Sequence, residues 1–257
     1  MPASFTHQQF GNQVLTKIDD PKISTMIKNN LDYYNLGLQG PDILFFYRPL
    51  KSNYVNALGN RMHQEIATEF FSNAKKLINN EAMMAYIFGF INHFILDSEC
   101  HHYVDQTMAN KNISHYAIER DLDCRLMQIN QVSFNSYPAK SIKINKKMAT
   151  TIAPFFNLRD ETIYSSLKYF KMINWLFFCK SDLKRKIIIK GMTLAKAKTY
   201  TDMVILKQPE AKITDDINHL IELFNNAINI AAKEIIGYYQ FLIDKQEISN
   251  RFNYNYE

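Results

Sequence analysis

Apolar residues along this chain recur at intervals of three and four, and almost nowhere at alternate positions. Phe10, Val14 and Ile18 share one side of an amphipathic segment over residues 3–18. Ile217, Leu220, Phe224, Ile228, Ala231 and Ile235 line one side of a longer segment over 214–243. Such spacing is the 3.6-residue repeat of a half-buried α-helix, not the two-residue repeat of a strand. The same pattern predicts helices from Pro21 to about Leu36 and over 53–78, 80–106, 114–129, 160–178 and 181–198. Punctuation agrees with it. Pro21 sits at a first turn, Gly37 and Gly40 follow a last one, Asn79-Asn80 precedes the central segment, and Ser114 offers an N-cap. Ala117 stands where a capping box would need an acid, so the cap at Ser114 is a simple one.

Between 132 and 159 the periodicity dissolves into VSFNSYPAKSIKINKKMATTIAPFFNLR, polar and basic and interrupted by Pro138 and Pro154. This stretch reads as a loop with room for one short helix, expected to roof a cleft. With no internal repeat and no alternating run, the expected fold is all-α. It is a single multi-helix domain over 1–257, with a first half over 1–131, a loop-rich middle over 132–159 and a helical buttress over 160–257. A composition of 47% hydrophobic and 13% aromatic residues supports a packed core and argues against disorder. The longest apolar run, Ala82–Leu96, falls short of the ~20 residues a membrane span needs and contains Asn92 and His93. It predicts a buried helix. The opening MPASFTHQQF shows no secretory signal, and Cys100, Cys124 and Cys179 form no paired framework. A reducing, cytoplasmic setting is expected. A net charge of +5 admits anionic substrates without demanding nucleic acid.

Candidate chemistry concentrates in GFINHFILDSECHHYV, residues 89–104. His93, Asp97 and His101 recur every fourth residue, which on a helix places them within an arc of roughly 80°. His115 and Glu119 repeat that spacing and offer an opposing half. Six of the seven histidines precede residue 116, leaving His219 alone in the second half. Singly, each candidate has an ordinary explanation. His7 can be a cap or surface residue, Asp42 after Gly40-Pro41 a turn residue, and His63 beside Met62, Ile66 and Phe70 a core-edge histidine. Together they are harder to dismiss. Burying several ionisable groups is unfavourable unless something pairs with them, and a divalent cation does so directly. Imidazole and carboxylate are zinc-type ligands, and an acid with a histidine one turn to either side suits a cluster of ions. The residues thus point to a multinuclear zinc hydrolase. Cys100 faces away from that stripe and reads as a packing cysteine. Glu99, Asp121 and Asp123 read as solvated or salt-bridged acids.

HFILDSECHHYV and HYAIE, preceded by THQQFG, GPDILFFY and NRMHQE, resemble the zinc-dependent phospholipase C family in order from about Pro2 to Met127. That family belongs to an all-helical superfamily that includes the fungal zinc single-strand nucleases. The resemblance implies up to three zinc ions. One would be held by Asp42, His63, His93 and Asp97, and a second by His101, His115 and Glu119. A third would share Asp97 and add His7. In secreted relatives a free terminal amine completes the third site; here the amine of Pro2, after loss of Met1, would have to serve. His101 keeps the helical repeat and is preferred over His102 as ligand. The resemblance also gives Asp42 a second role, orienting or deprotonating the attacking water.

The implied reaction is phosphodiester hydrolysis by metal-activated water, with a phospholipid as the substrate the family suggests. A single-strand nuclease or nucleotidase is the alternative within the superfamily, for which Phe45, Phe46, Tyr47 and Tyr54 would supply base-stacking platforms. A non-catalytic metal-binding module is the alternative outside it. Lys184, Arg185, Lys186, Lys190, Lys196 and Lys198, interleaved with Ile187–Ile189, fit either a solvated basic face or peripheral contact with a membrane.

Overall fold

The computed structural model describes residues 4–132, 138–179, 181–195 and 197–256. The expectation for the Pro2 amine therefore lies outside the described residues, as do those for Lys196, for the side chain of Lys198 and for residues 133–137 of the 132–159 stretch. The fold is all-α, and no strand occurs among the described residues.

The axis is a 31-residue helix, Glu81–Lys111, longer by several residues than its pattern predicts. Asn80 caps it by accepting a hydrogen bond from Met83 N at 2.9 Å, and Asn112 ends it in the left-handed region at φ 48°. In chain order the helices are α1 (Ser4–Lys17), α2 (Pro21–Asn29), α3 (Leu31–Gly37), α4 (Tyr54–Gln64), α5 (Thr68–Leu77), α6 (Glu81–Lys111), α7 (His115–Ile129), α8 (Lys146–Ile152), α9 (Asp160–Phe177), α10 (Asp182–Leu194) and α11 (Thr214–Leu242). α6 is buried nearly all round from Ala85 to Asp97, because α1, α3 and α11 all pack on it. One apolar cluster runs through these elements from Phe5 to Tyr256. Among the described residues no helix is long and apolar enough to cross a membrane.

α3 meets α6 backbone to backbone. A methyl group on Gly37 would lie 2.0 Å from the Tyr86 carbonyl oxygen, and one on Gly89 would lie 2.1 Å from that of Tyr34. Neither position admits a side chain. This contact draws the following 3-10 turn, Gly40–Phe46, against the middle of α6.

Two predicted helices are each divided in the structure. The segment from Pro21 to Leu36 breaks at Asn30, whose side-chain amide donates to the Met26 carbonyl at 3.0 Å and competes with the backbone ladder. The segment over 53–78 breaks between Gln64 and Thr68 because distant chain satisfies its backbone there. Ala67 N donates to Tyr254 O at 3.0 Å, and Tyr256 N donates to His63 O at 3.1 Å. The tail is likewise not wholly helical. After Leu242 it returns as a strap through a 3-10 turn, Asn250–Asn253, and buries Phe252 and Tyr256. The described part of 132–159 is a packed segment, not an open loop. It contributes Ile142, Met148, Ala149, Ile152, Phe155 and Phe156 to the core, and Phe155 stacks on Tyr86 at 5.6 Å.

Candidate metal centre

α6 carries His93, Asp97 and His101 on one face, and Asp97 is the hub. Its Oδ2 lies 2.9 Å from His93 Nε2, and its Oδ1 lies 3.3 Å from His7 Nε2 and 3.7 Å from His101 Nε2. Burial alone would raise this carboxyl, but the surrounding imidazoles of His93, His101 and His7 hold it well below the usual carboxylate range.

Four other elements bring the remaining candidates to this face. α1 delivers His7, whose ring stacks on that of His93 at 4.2 Å. The N-terminal turn of α1 is held from α7. Asp123 accepts from Thr6 N at 2.8 Å and Thr6 Oγ1 at 2.6 Å. Burial pushes Asp123 up to about 7 despite these donors. The 3-10 turn delivers Asp42. Gly40 starts that turn at φ +50°, and a methyl group there would lie 2.2 Å from the His93 ring, so only glycine brings Asp42 this close. α4 delivers His63, whose Nε2 lies 3.1 Å from Asp42 Oδ1. α7 delivers His115 and Glu119, with Nε2 and Oε1 3.1 Å apart. Glu119 Oε1 also approaches His101 Nε2 at 4.0 Å.

The structure therefore brings all eight candidate residues together. Their donor atoms form three groups, His7/His93/Asp97 and Asp42/His63/His93, which share His93, and His101/His115/Glu119, each with its atoms within 4.8 Å of one another. Zinc bonds of about 2.0–2.1 Å in a tetrahedron place donor atoms roughly 3.4 Å apart. The observed pairs at 3.1–3.3 Å match that spacing. Outer contacts fix which ring nitrogen faces inward. His63 Nδ1 donates to Gly59 O at 2.8 Å and His93 Nδ1 to Leu38 O at 3.2 Å, which in the neutral rings leaves the lone pairs on Nε2.

Buried atoms left without hydrogen bonds test whether a cation fits. His93 Nε2 and Asp42 Oδ1 are both buried and make no well-aligned hydrogen bond, although Asp97 Oδ2 lies 2.9 Å from the first, His63 Nε2 lies 3.1 Å from the second, and the two atoms themselves are 3.8 Å apart. They are close but lack hydrogen-bond geometry. A pair of inward lone pairs so placed is costly by itself and is what a divalent ion satisfies. The residues fit zinc.

Burial grades along the centre. The His93 side chain is fully buried, that of His101 is 12% exposed, and that of His115 is 30% exposed. The centre is sealed at its His7/His93 end and opens beside the N-terminus of α7. Protonation follows the surroundings. His63 is pushed up to about 9, because the Asp42 carboxylate beside it outweighs the opposing burial. His115 is raised despite burial by Glu119. His101 is lowered, chiefly by burial.

His101 turns into the cluster, whereas His102 is exposed and its Nε2 accepts from Gln106 at 2.8 Å. Cys100 is a buried packing residue. Glu99 pairs with Arg251 at 2.6 Å and Asp121 with Arg120 at 2.8 Å, so both are structural acids. Of the four aromatic platforms, Phe45 alone has its ring near the centre, 5.5 Å from His63. Phe46 is buried against Phe170, and Tyr54 is exposed.

Two neighbours of the centre escape a sequence reading. Tyr256 places its ring 5.1 Å from His63 and 6.1 Å from His93, with a buried hydroxyl that has no partner. Nothing in NRFNYNYE marks it. Asp123 does carry a signal, lying four residues after Glu119 on the same helix, but its partner Thr6 is far away in the chain.

The family model for zinc-dependent phospholipase C matches residues 6–175, a span that contains all eight residues of the centre. No curated protein and no solved structure matches the chain.

Proposed function

The chain belongs to the zinc-dependent phospholipase C family, and from that membership we propose that it hydrolyses the phosphodiester bond of a phospholipid, with water as nucleophile. The observation that carries this reading is the buried pair His93 Nε2 and Asp42 Oδ1, neither in a well-aligned hydrogen bond, set among six further ligand-type side chains whose donor atoms converge. We assign Asp42, His63, His93 and Asp97 to one ion, His101, His115 and Glu119 to a second, and Asp97 with His7 to a third. Bound zinc supplies Lewis acidity, lowering the pKa of water toward neutrality and withdrawing charge from phosphoryl oxygens.

The protein's own residues do the rest. His63 and His93, fixed through Gly59 O and Leu38 O, hold their rings without rotational search. Asp97 neutralises the inner end and binds it to the outer one. Asp42, besides ligating, would orient the attacking water and accept its proton through a carboxylate oxygen that makes no well-aligned hydrogen bond. The buried inner end excludes bulk solvent, while the opening beside His115 admits a headgroup phosphate. In-line attack on phosphorus then breaks the bond to the glyceride oxygen, which takes up the proton that Asp42 gives back, so that diacylglycerol and a phosphorylated headgroup leave.

The test measures bound zinc and then turnover of a generic phosphodiester, a short-chain phosphatidylcholine and single-stranded DNA. Bound zinc with lipid turnover that disappears in His93→Ala is the expected result. Cleavage of DNA without lipid would assign the centre to nuclease chemistry instead. Zinc binding with no turnover of any of the three would make it a non-catalytic module.

A further inference from the structure

The family-matched span ends at Trp175, where the surface changes character. α10, which follows, buries none of its residues. Its inner side is tied down by Arg185, which donates to Ile205 O at 3.0 Å. Its outer side presents Leu183, Ile187 and Leu194, which are 70%, 61% and 76% exposed. On a helix these three fall with Lys190 inside an arc of roughly 60°, and Lys186 borders it. Trp175, 56% exposed, extends the apolar strip from the last turn of α9. Lys184 Nζ links the two helices, donating to Trp175 O at 3.2 Å and sitting 4.9 Å over the indole ring.

The acid of this helix is already neutralised, since Asp182 pairs with Arg185 and Lys207. What remains is an apolar stripe with lysines in and beside it. Such a stripe suits an anionic bilayer better than a protein. Protein interfaces deplete lysine at their centres, and pairing this face with a second copy would oppose like charges. At a bilayer, lysines extend to the headgroups while Leu, Ile and Trp enter the acyl boundary.

The location matters as well. The chain after α10 enters a 3-10 turn, Lys198–Met203, that packs on α7. Ser114 donates to Asp202 at 2.6 Å, and Tyr116 stacks on Tyr200 at 6.3 Å. Ser114 and Tyr116 flank His115, the most exposed residue of the centre. We propose that the outer face of α10, with Trp175, seats this protein on an anionic phospholipid bilayer, beside the open end of the centre. The inference rests on the phospholipid reading for its purpose, but its geometry stands apart from it.

Trp175 is the only tryptophan in the chain, so its fluorescence reports on this face alone. The zinc-loaded protein is mixed with vesicles of phosphatidylcholine alone or of equimolar phosphatidylcholine and phosphatidylserine, and emission and co-sedimentation are read on mixing. A blue shift with the mixed vesicles is expected. Ile187→Glu and the pair Lys186→Glu/Lys190→Glu should each weaken binding about tenfold or more. Turnover of a water-soluble phosphodiester should be unchanged in both, and so should circular dichroism. An emission maximum indifferent to both vesicles, or binding indifferent to both variants, overturns the proposal. A dimer dissolved by Ile187→Glu, with no vesicle shift, overturns it in favour of self-association. Vesicle binding that needs α10 in a protein without phosphodiesterase activity supports the docking surface and removes the catalytic reading instead.

Discussion

The inner and outer ends of the centre use the same residue types and are held in opposite ways. At the inner end His7, Asp42, His63 and His93 come from four different elements. Each is fixed from behind by Asp123 through Thr6, by the Gly40 turn, or by the carbonyls of Gly59 and Leu38. At the outer end His101, His115 and Glu119 come from two helices alone, and His115 is open to solvent. The inner end is therefore organised by contacts of the fold behind each ligand. The outer end has fewer such supports, so an ion bound there would do more of the holding.

This contrast can be broken or sharpened by experiment. His93→Ala takes a donor from two of the three groups, and should cost at least about 100-fold in turnover, since even outer partners of metal ligands cost 10–100-fold. Zinc content should fall with it, as read by elemental analysis. Gly40→Ala acts on the fold of the inner end. Left-handed strain of about 1–2 kcal/mol, added to the clash with the His93 ring, should lower Tm by roughly 5 °C or more in thermal unfolding. His115→Ala tests the outer end. It should weaken binding of one ion about 10–100-fold by competition with a chelator, while stability of the zinc-free protein stays within about 0.5 kcal/mol. An equal loss of zinc-free stability in His115→Ala and Gly40→Ala would erase the distinction.

A last test is one of pH. His63 in the folded, zinc-free protein is raised to about 9 from the ordinary 6.5. A raised histidine contributes stability fully below its unfolded value and loses it as pH climbs to the folded value. Zinc-free protein should thus become less stable between about pH 6.5 and 9, as followed by denaturant midpoint. Zinc competes for the same nitrogen, so its affinity should rise over that window. His63→Gln should flatten the stability trend.

Much of this was legible in the chain because it was local. His93/Asp97/His101 and His115/Glu119 announce themselves by a four-residue repeat that the helix itself turns into a shared face. Apolar periodicity likewise marked α6, α9 and α11. What escaped was set by distant partners. The break before Thr68 exists because Tyr254 and Tyr256 satisfy backbone groups near it, and no pattern within 53–78 encodes that. Asp123 reads as an ordinary salt-bridge acid until Thr6 is found against it. At 21–36 the local clue was present in Asn29-Asn30, but helical periodicity masked the side-chain competition that ends α2.

The strap over 250–256 gives the centre a history. Synthesis runs from the N-terminus, so all eight ligand-type residues leave the ribosome more than a hundred residues before Tyr256 does. Until Tyr256 is made, the His63 ring lacks its neighbour and the pairing of Ala67 and His63 with the strap cannot form. A chain truncated after Leu242 lacks that cover, and its zinc uptake can be compared with that of the whole protein.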